Sequence, residues 1–391
     1  MKILQVISSF PPAHAYGGAP KVAYELSKEL VKRGHEVTVY TTDAKDANSR
    51  LEITDNPVWM DGIEIYHFKN LSNRLSYRNY PLAPTMAFKL KKELHKFDIV
   101  HIHEYRSFHS IFVYHYCKKY GIPYILQAHG SVKRIIEKYH LKKLYDLIWG
   151  FKILKNAESF VAVSSNEINQ YKEMGVTNKI FLVPNALNID KFQKLPNKGA
   201  FRRKIGITNK LNIILFLGRI HKTKGIDFLI RTFADLVKEI EDTVLVIVGP
   251  DENHKKSLEK LSKNLNLSDL IIFEDYTDDV LEVYRDANVL VYPSIYEIFG
   301  LVPFEAIMCD TPIVITNSCG CSELIKEADC GYLVKYGDIR DLKSKIINVL
   351  DDQANANLMV CRGKEYIHKN LSWVKIAEKV EKIYENCIHN L

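Results

Sequence analysis

A chain of 391 residues that is 47% hydrophobic and 26% charged is too apolar for disorder and long enough for two ordinary domains. No apolar run is long enough to cross a bilayer, and the apolar start, Met1 to Ile7, is one strand long and lacks a signal-peptide cleavage site, so a cytoplasmic protein is expected. The seven cysteines are odd in number and scattered; the close pair Cys319 and Cys321 has no second pair or histidine cluster to complete a zinc site, which leaves packing as the expected role.

In chain order, strand and helix patterns alternate throughout, which predicts parallel sheets with helices on both faces. Lys2–Ile7 reads as the first strand. Gly17-Gly18 precedes a helix with Val22, Ala23, Leu26, Leu30 and Val31 on its apolar face, and Gly34 ends it. Glu36–Thr41, Ile63–Phe68, Asp98–Ile102, Tyr124–Ala128, Ser159–Val163 and Ile180–Val183 follow as strands. Between the fifth and sixth of these seven lies the most basic segment of a chain whose net charge is +7: residues 132–155 carry seven Lys or Arg against two acids, interleaved with Leu141, Leu144, Leu147, Ile148 and Trp149. An ordinary amphipathic helix explains that pattern, and so does a helix resting on an anionic membrane surface. The basic side chains are not grouped with stacking aromatics and no recognition motif accompanies them, so nucleic acid is not an expected partner.

Residues 185–198 read as a linker, after which the alternation restarts. Asn212–Leu217 is a strand, Gly225–Glu239 a helix, and Val244–Val248, Leu270–Phe273, Val289–Tyr292, Pro312–Thr316 and Gly331–Val334 are further strands. Two α/β domains so joined leave a cleft between them, with ligands beyond the carboxyl ends of the strands. The last helix, after Ser372, has a wide stripe of Trp373, Ile376, Ala377, Val380, Ile383, Tyr384, Cys387 and Ile388; it is expected to cross back onto the first domain.

The most informative stretch is Pro293 to Glu305. A buried strand ends at Pro293, a turn holds Glu297 and Gly300, and a helix carrying Glu305 begins. A helix start with a glycine beside it seats a phosphate, and carboxylates on either side accept hydrogen bonds from sugar hydroxyls, so the combination suits a nucleotide sugar. Arg219 and Lys224 flank another strand-to-helix turn, and two fixed cations suit a diphosphate whose charge grows as the sugar bond breaks, with two solvated surface cations as the alternative. Gly17 and Gly18 permit close backbone approach at a turn in the first domain, although many turns contain such a pair. His129 follows a strand and is placed to meet a sugar hydroxyl or the reacting centre, with a structural histidine capping the strand end as the alternative. His101 and His103 share one face without a third metal ligand, and packing or acceptor-side contacts are expected for them. Gly320 and Glu323 sit at another loop-to-helix turn that shapes the same pocket, and Asn185 is placed to fix a turn at the linker edge.

These pieces in this order resemble retaining glycosyltransferases of family 4. Pro293-Ser-Ile-Tyr-Glu297-Ile-Phe-Gly-Leu-Val with Glu305, Gly218-Arg219 with Lys224-Gly225, Pro184-Asn185, Gly17-Gly18 with Gly34-His35-Glu36-Val37, and the Trp373 helix all match, over essentially the whole chain. The resemblance implies a GT-B fold: two Rossmann-like domains with parallel sheets facing across a central cleft and a C-terminal helix crossing back. Residues 1–187 with 372–391 would form the acceptor-binding domain and residues 198–371 the nucleotide-sugar-binding domain. Arg219 and Lys224 would bind the diphosphate. Glu297, with the backbone of Phe299, Gly300 and Leu301, would hold sugar and phosphate, and Glu305 would accept from the ribose. His129 would sit near the transferred sugar, and Gly17 and Gly18 would lie between donor and acceptor. One departure is Cys319, which stands where the family usually has the first glycine of a pair.

The expected activity is transfer of a hexosyl unit from a nucleoside diphosphate sugar to a hydroxyl of a sugar or lipid-linked acceptor, with retention, no metal and no cofactor beyond the donor substrate. Peripheral attachment at the inner face of the membrane goes with the basic segment. A nucleotide-sugar epimerase, a sugar phosphorylase of similar fold and a non-catalytic nucleotide-sugar binder remain alternatives on the residues alone.

Overall fold

A computed structural model describes residues 1–13, 18–77, 81–132, 139–208, 210–275 and 277–389. The chain divides into two compact units, Met1–Ala186 with Trp373–Leu391, and Leu187–Ser372.

The first unit is built on strands β1 (Lys2–Val6), β2 (Glu36–Thr42), β3 (Val58–Met60), β4 (Ile63–Phe68), β5 (Ile99–His103), β6 (Tyr124–Gln127), β7 (Ser159–Ala162) and β8 (Lys179–Leu182). They form one sheet in the order β3-β4-β2-β1-β5-β6-β7-β8. Every pair is parallel except β3 with β4. Both faces are covered, so the strands are apolar nearly throughout. Alternation along them divides the core in two. Leu4, Val6, Val100, Ile102, Leu126 and Phe160 belong to one cluster. Ile3, Ile7, Val39, Ile99, Ile125 and Val161 belong to the other, and the helix Trp373–His389 covers that second face with Ile376, Ala377, Val380, Ile383, Tyr384 and Cys387. Polar contacts fix its register: Arg33 Nε donates to Glu381 at 2.9 Å and the His35 ring meets the same carboxylate at 2.7 Å.

The second unit holds β9 (Asn212–Leu217), β10 (Thr243–Val248), β11 (Ile271–Glu274), β12 (Val289–Tyr292), β13 (Ile313–Thr316) and β14 (Tyr332–Val334), in the order β11-β10-β9-β12-β13-β14, all parallel. Each sheet has one place where the direction of winding reverses, between β1 and β5 in the first unit and between β9 and β12 in the second. Loops leaving the carboxyl ends of those strands diverge and open a crevice, the usual ligand position in such sheets.

Two local features depart from the sequence pattern. The three-residue β3 is an antiparallel edge strand that no periodicity announces, being too short and following Pro57. The basic segment is not one continuous α-helix: Tyr139–Tyr145 and Phe151–Asn156 are joined by a widened π turn at Asp146–Gly150. The widening coincides with Asp146 turning inward to Arg106, whose Nε and Nη2 reach its carboxylate at 2.9 and 2.8 Å while the guanidinium also caps the carbonyls of Ser131 and Val132. A buried acid in mid-pattern displaces the helical register.

Candidate functional site

The winding reversal of the second sheet holds a largely buried ion pair. After β9 the chain makes a short turn at Lys222–Lys224 and leaves it through Gly225, at φ 65°. Any Cβ at Gly225 would lie 2.1 Å from the Pro293 carbonyl oxygen, so only glycine lets this turn back onto the exit of β12. Ile295 N–H then donates to the Thr223 carbonyl at 2.9 Å, joining the two exits. The buried Lys224 Nζ donates to the Tyr292 hydroxyl at 3.1 Å and to the Glu297 carboxylate, and Tyr292 donates to Glu297 Oε2 at 2.8 Å. Burial, followed by the charge on Glu297, pushes the Tyr292 phenol well above its usual range, so it stays a neutral donor.

The loop carrying Glu297 is clamped from the exit of β13. Gly320 N–H donates to the Glu297 carbonyl at 2.9 Å and Cys321 N–H to the Phe299 carbonyl at 2.7 Å. A Cβ at Gly320 would meet the Ile298 carbonyl oxygen at 1.9 Å, so this glycine is required for the approach. Cys319 fits where the family pattern has glycine because its backbone is not among those with positive φ, and its thiol reaches the Phe299 carbonyl at 3.3 Å. Phe299 is buried against Phe304, with ring centroids 5.9 Å apart, which anchors the loop in the core. Gly300 and Leu301 lead into the helix Val302–Met308, whose first N–H groups lie beyond the reach of intrahelical bonds. On that helix Glu305 accepts from the Tyr284 hydroxyl at 2.9 Å.

The four side chains singled out for the donor do not form one contact network. Lys224 and Glu297 meet directly. Glu305 is held by Tyr284. Arg219 is 60% exposed, and its Nη1 donates to both carboxylate oxygens of Glu252, at 2.7 and 2.9 Å. Sequence reading missed Tyr292, Tyr284 and Glu252. The only advance signal for the first was a tyrosine ending an apolar strand one residue before the motif.

In the first unit the corresponding rim is formed by the exits of β1, β5 and β6. His129 follows β6 with φ 50°, and its Nε2 lies 2.9 Å from His103 Nδ1. His103 Nε2 meets Gln5 Oε1 at 2.5 Å, Gln5 donates to the Tyr384 hydroxyl at 3.2 Å, and that hydroxyl meets His101 Nδ1 at 2.8 Å. A polar chain therefore runs from the returning C-terminal helix to His129. Removal from water holds these rings neutral: His129 is lowered to about 4, His101 to about 3, and His103 well below its usual range. His101 and His103 stack with ring centroids 4.1 Å apart and serve packing and hydrogen bonding. Among the described residues no group of three or more His, Cys, Asp or Glu is arranged to hold a metal ion. Gly18 opens the helix Gly18–Lys32 with open space around its Cα, while Gly17 lies outside the described residues.

Of the basic segment, Lys133, Arg134 and Lys138 lie outside the described residues. Beyond them Leu141, Leu144 and Leu147 are exposed at 59%, 53% and 71%, beside Lys142 and Lys143. No helix of the described residues is long and apolar enough to cross a membrane.

Two doubly wound, largely parallel sheets are the architecture of the GT-B fold. Residues 16–191 match the family described as Glycosyltransferase Family 4, and residues 197–366 match Glycosyl transferases group 1. An uncharacterized glycosyltransferase of Methanocaldococcus jannaschii is 30% identical over 268 residues, covering 68% of this chain and 69% of that one. The N-acetyl-alpha-D-glucosaminyl L-malate synthase of Bacillus anthracis is 28% identical over 399 residues, covering 100% and 98%. The crystal structure of Anabaena HepE in complex with UDP-glucose superposes with a TM-score of 0.75 at 17% identity, covering 99% of this chain and 100% of that one. The chain belongs to glycosyltransferase family 4.

Proposed function

We propose that this glycosyltransferase moves a hexosyl unit from a nucleoside diphosphate sugar to a hydroxyl of a sugar or lipid-linked acceptor, retaining the anomeric configuration and using no metal ion. The observation that carries the reading is the Lys224–Tyr292–Glu297 cluster at the winding reversal of the second sheet, on a loop clamped by Gly320. A buried ammonium already held against a carboxylate is poised to exchange part of that contact for a phosphate oxygen. As the sugar–phosphate bond breaks, negative charge collects on the leaving diphosphate, and Lys224 with the exposed Arg219 stabilises it. Glu297 and the N–H groups of Phe299, Gly300 and Leu301 hold the sugar and phosphate, and Glu305 accepts from ribose hydroxyls. His129, neutral at physiological pH, donates to or accepts from the transferred sugar. The leaving phosphate takes the acceptor proton from the same face, so no covalent nucleophile is assigned. The UDP-glucose complex of HepE favours a uridine nucleotide.

A thermal-shift screen of UDP, GDP, ADP and their sugars tests the donor, since a ligand that binds only the folded state raises its melting temperature. A uridine diphosphate sugar should give the largest shift, undiminished by EDTA, and product anomers should match the donor's. No response to any nucleotide sugar would remove the reading.

The exposed leucines beside Lys142 and Lys143 support peripheral attachment to an anionic membrane. Salt-sensitive flotation with phosphatidylglycerol vesicles is expected, and its absence ends that part.

A further inference from the structure

We propose that Glu104 is the acceptor-recognising carboxylate and that the acceptor presents an uncharged, hydroxylated sugar face to the first unit; this rests on the glycosyltransferase reading above. Glu104 leaves β5 and Ser8 leaves β1, so the two stand on either side of the winding reversal of the first sheet, the position equivalent to Lys224 and Glu297 in the second. The Ser8 hydroxyl donates to Glu104 Oε2 across that gap.

The backbone at Glu104 is in the left-handed region, at φ 79°, which a glutamate adopts at a cost. Two bonds hold it there: its N–H donates to the Gln127 carbonyl at 2.9 Å, and its own carbonyl accepts from Ser110 Oγ at 3.1 Å. That conformation brings the Glu104 carboxylate to the Ser8 hydroxyl at the winding reversal. Removal from water raises its carboxyl to about 7, partly offset by hydrogen bonds from Ser8. Among the described residues it has no ion-pair partner. The neighbouring groups that titrate are His103 in its own strand and His129 at the exit of β6, both held neutral. Arg106, two residues on, is engaged by Asp146 and by the carbonyls of Ser131 and Val132.

A glutamine would satisfy Ser8 without a buried charge, and an apolar residue would remove the cost altogether. A strained, half-buried carboxyl with no ion-pair partner among the described residues is therefore retained for something that binds. Its chemistry accepts hydrogen bonds from hydroxyls and repels phosphate or carboxylate, so a neutral glycosyl acceptor fits and a phosphorylated one does not.

The test is saturation-transfer NMR on the full chain with methyl α-D-glucopyranoside and methyl α-D-mannopyranoside, against glucose 6-phosphate, with UDP as internal reference. Wild type should respond to at least one neutral glycoside and little to the phosphate. Glu104→Gln should weaken the neutral response about tenfold, the worth of a hydrogen bond to a charged group, and leave UDP unchanged. The same variant should melt no lower than wild type at pH 8, where wild type carries the enclosed charge; Glu104→Asp, which keeps the carboxyl, should bind glycoside better than Glu104→Gln. A preference for the phosphate, no neutral response in wild type, or unchanged glycoside binding in Glu104→Gln overturns the proposal. Loss of UDP binding in wild type would instead strike the donor reading, so the two failures are distinguishable.

Discussion

The two sheets place polar groups at equivalent positions by opposite means. In the second unit the reversal between β9 and β12 holds an ion pair, Lys224 with Glu297, bridged by Tyr292. In the first, among the described residues, the exits of β1, β5 and β6 hold neutral rings and a half-buried carboxyl with no ion-pair partner. Charge that is already paired survives burial, whereas unpaired groups shed their charge instead. On the proposed function the second unit would meet charge and the first hydroxyls, and the two should respond differently to truncation, mutation and acid.

The largest separation should come from ending the chain at Asn370. Six buried side chains of the Trp373–His389 helix leave the first unit's sheet, removing on the order of 10 kcal/mol of apolar burial. The first unit should lose its amide protection and aggregate, while amide exchange in the second unit remains slow. A shortened chain that is soluble and fully active would show that the helix is dispensable.

Next in size is Lys224→Ala. Loss of the cation should lower turnover at saturating donor by about 10²–10³. It also strands Glu297 in a partly buried position, and breaking such a pair costs about 3 kcal/mol. The double variant with Glu297→Ala should be more stable than the single one, because the stranded charge is gone. Wild-type turnover in Lys224→Ala would break the assignment of the charged half.

Acid should act on the other half. His67, His109 and His129 are lowered to about 4 by burial and His101 to about 3, and all lie in the first unit. A depressed histidine binds its proton more readily in the unfolded chain. Its stabilising effect is therefore complete above about pH 6.5 and is lost as pH falls toward the folded value. At pH 5 each ring near 4 should have given up on the order of 2 kcal/mol. Glu104 and Glu167, both raised by burial, work in the opposite sense and gain protons in the fold as pH falls, but they are two groups against several. Amide exchange at pH 7 and pH 5, corrected for the intrinsic rate, should show first-unit peptides opening first. Equal loosening of both units would contradict the burial of these rings.

The same asymmetry explains what the sequence disclosed. Alternating apolar strands and punctuating glycines made the two parallel sheets legible, and the stripe Ile376, Val380, Ile383, Tyr384 marked a helix needing a large partner. The turn at Glu297 and Gly300 was legible because its residues are close together in the chain. Tyr292, Tyr284 and Glu252 were not, since each acts through a contact with a residue distant in sequence or on another strand exit. Glu104 escaped notice because a glutamate after a strand reads as solvated surface; only its backbone conformation and the position of Ser8 distinguish it. The inward turn of Asp146 was hidden for the same reason, as Arg106 lies 40 residues away.

The smallest expected effect sharpens the role of Arg219. Its guanidinium is mostly exposed and its partner Glu252 partly so, and such pairs contribute about 0–1 kcal/mol. Arg219→Ala should therefore leave the melting temperature nearly unchanged, unlike Lys224→Ala. Its effect on turnover should also be the milder of the two, about tenfold, because water screens an exposed charge. Glu252→Gln supplies the decisive sign. It releases the guanidinium from a competing carboxylate, so donor KM should fall about threefold, the worth of one surface pair. If Arg219 binds only Glu252 and never the diphosphate, the first variant leaves turnover untouched and the second leaves KM untouched. Opposite shifts in the two variants, at constant stability, are what a donor-contacting arginine requires.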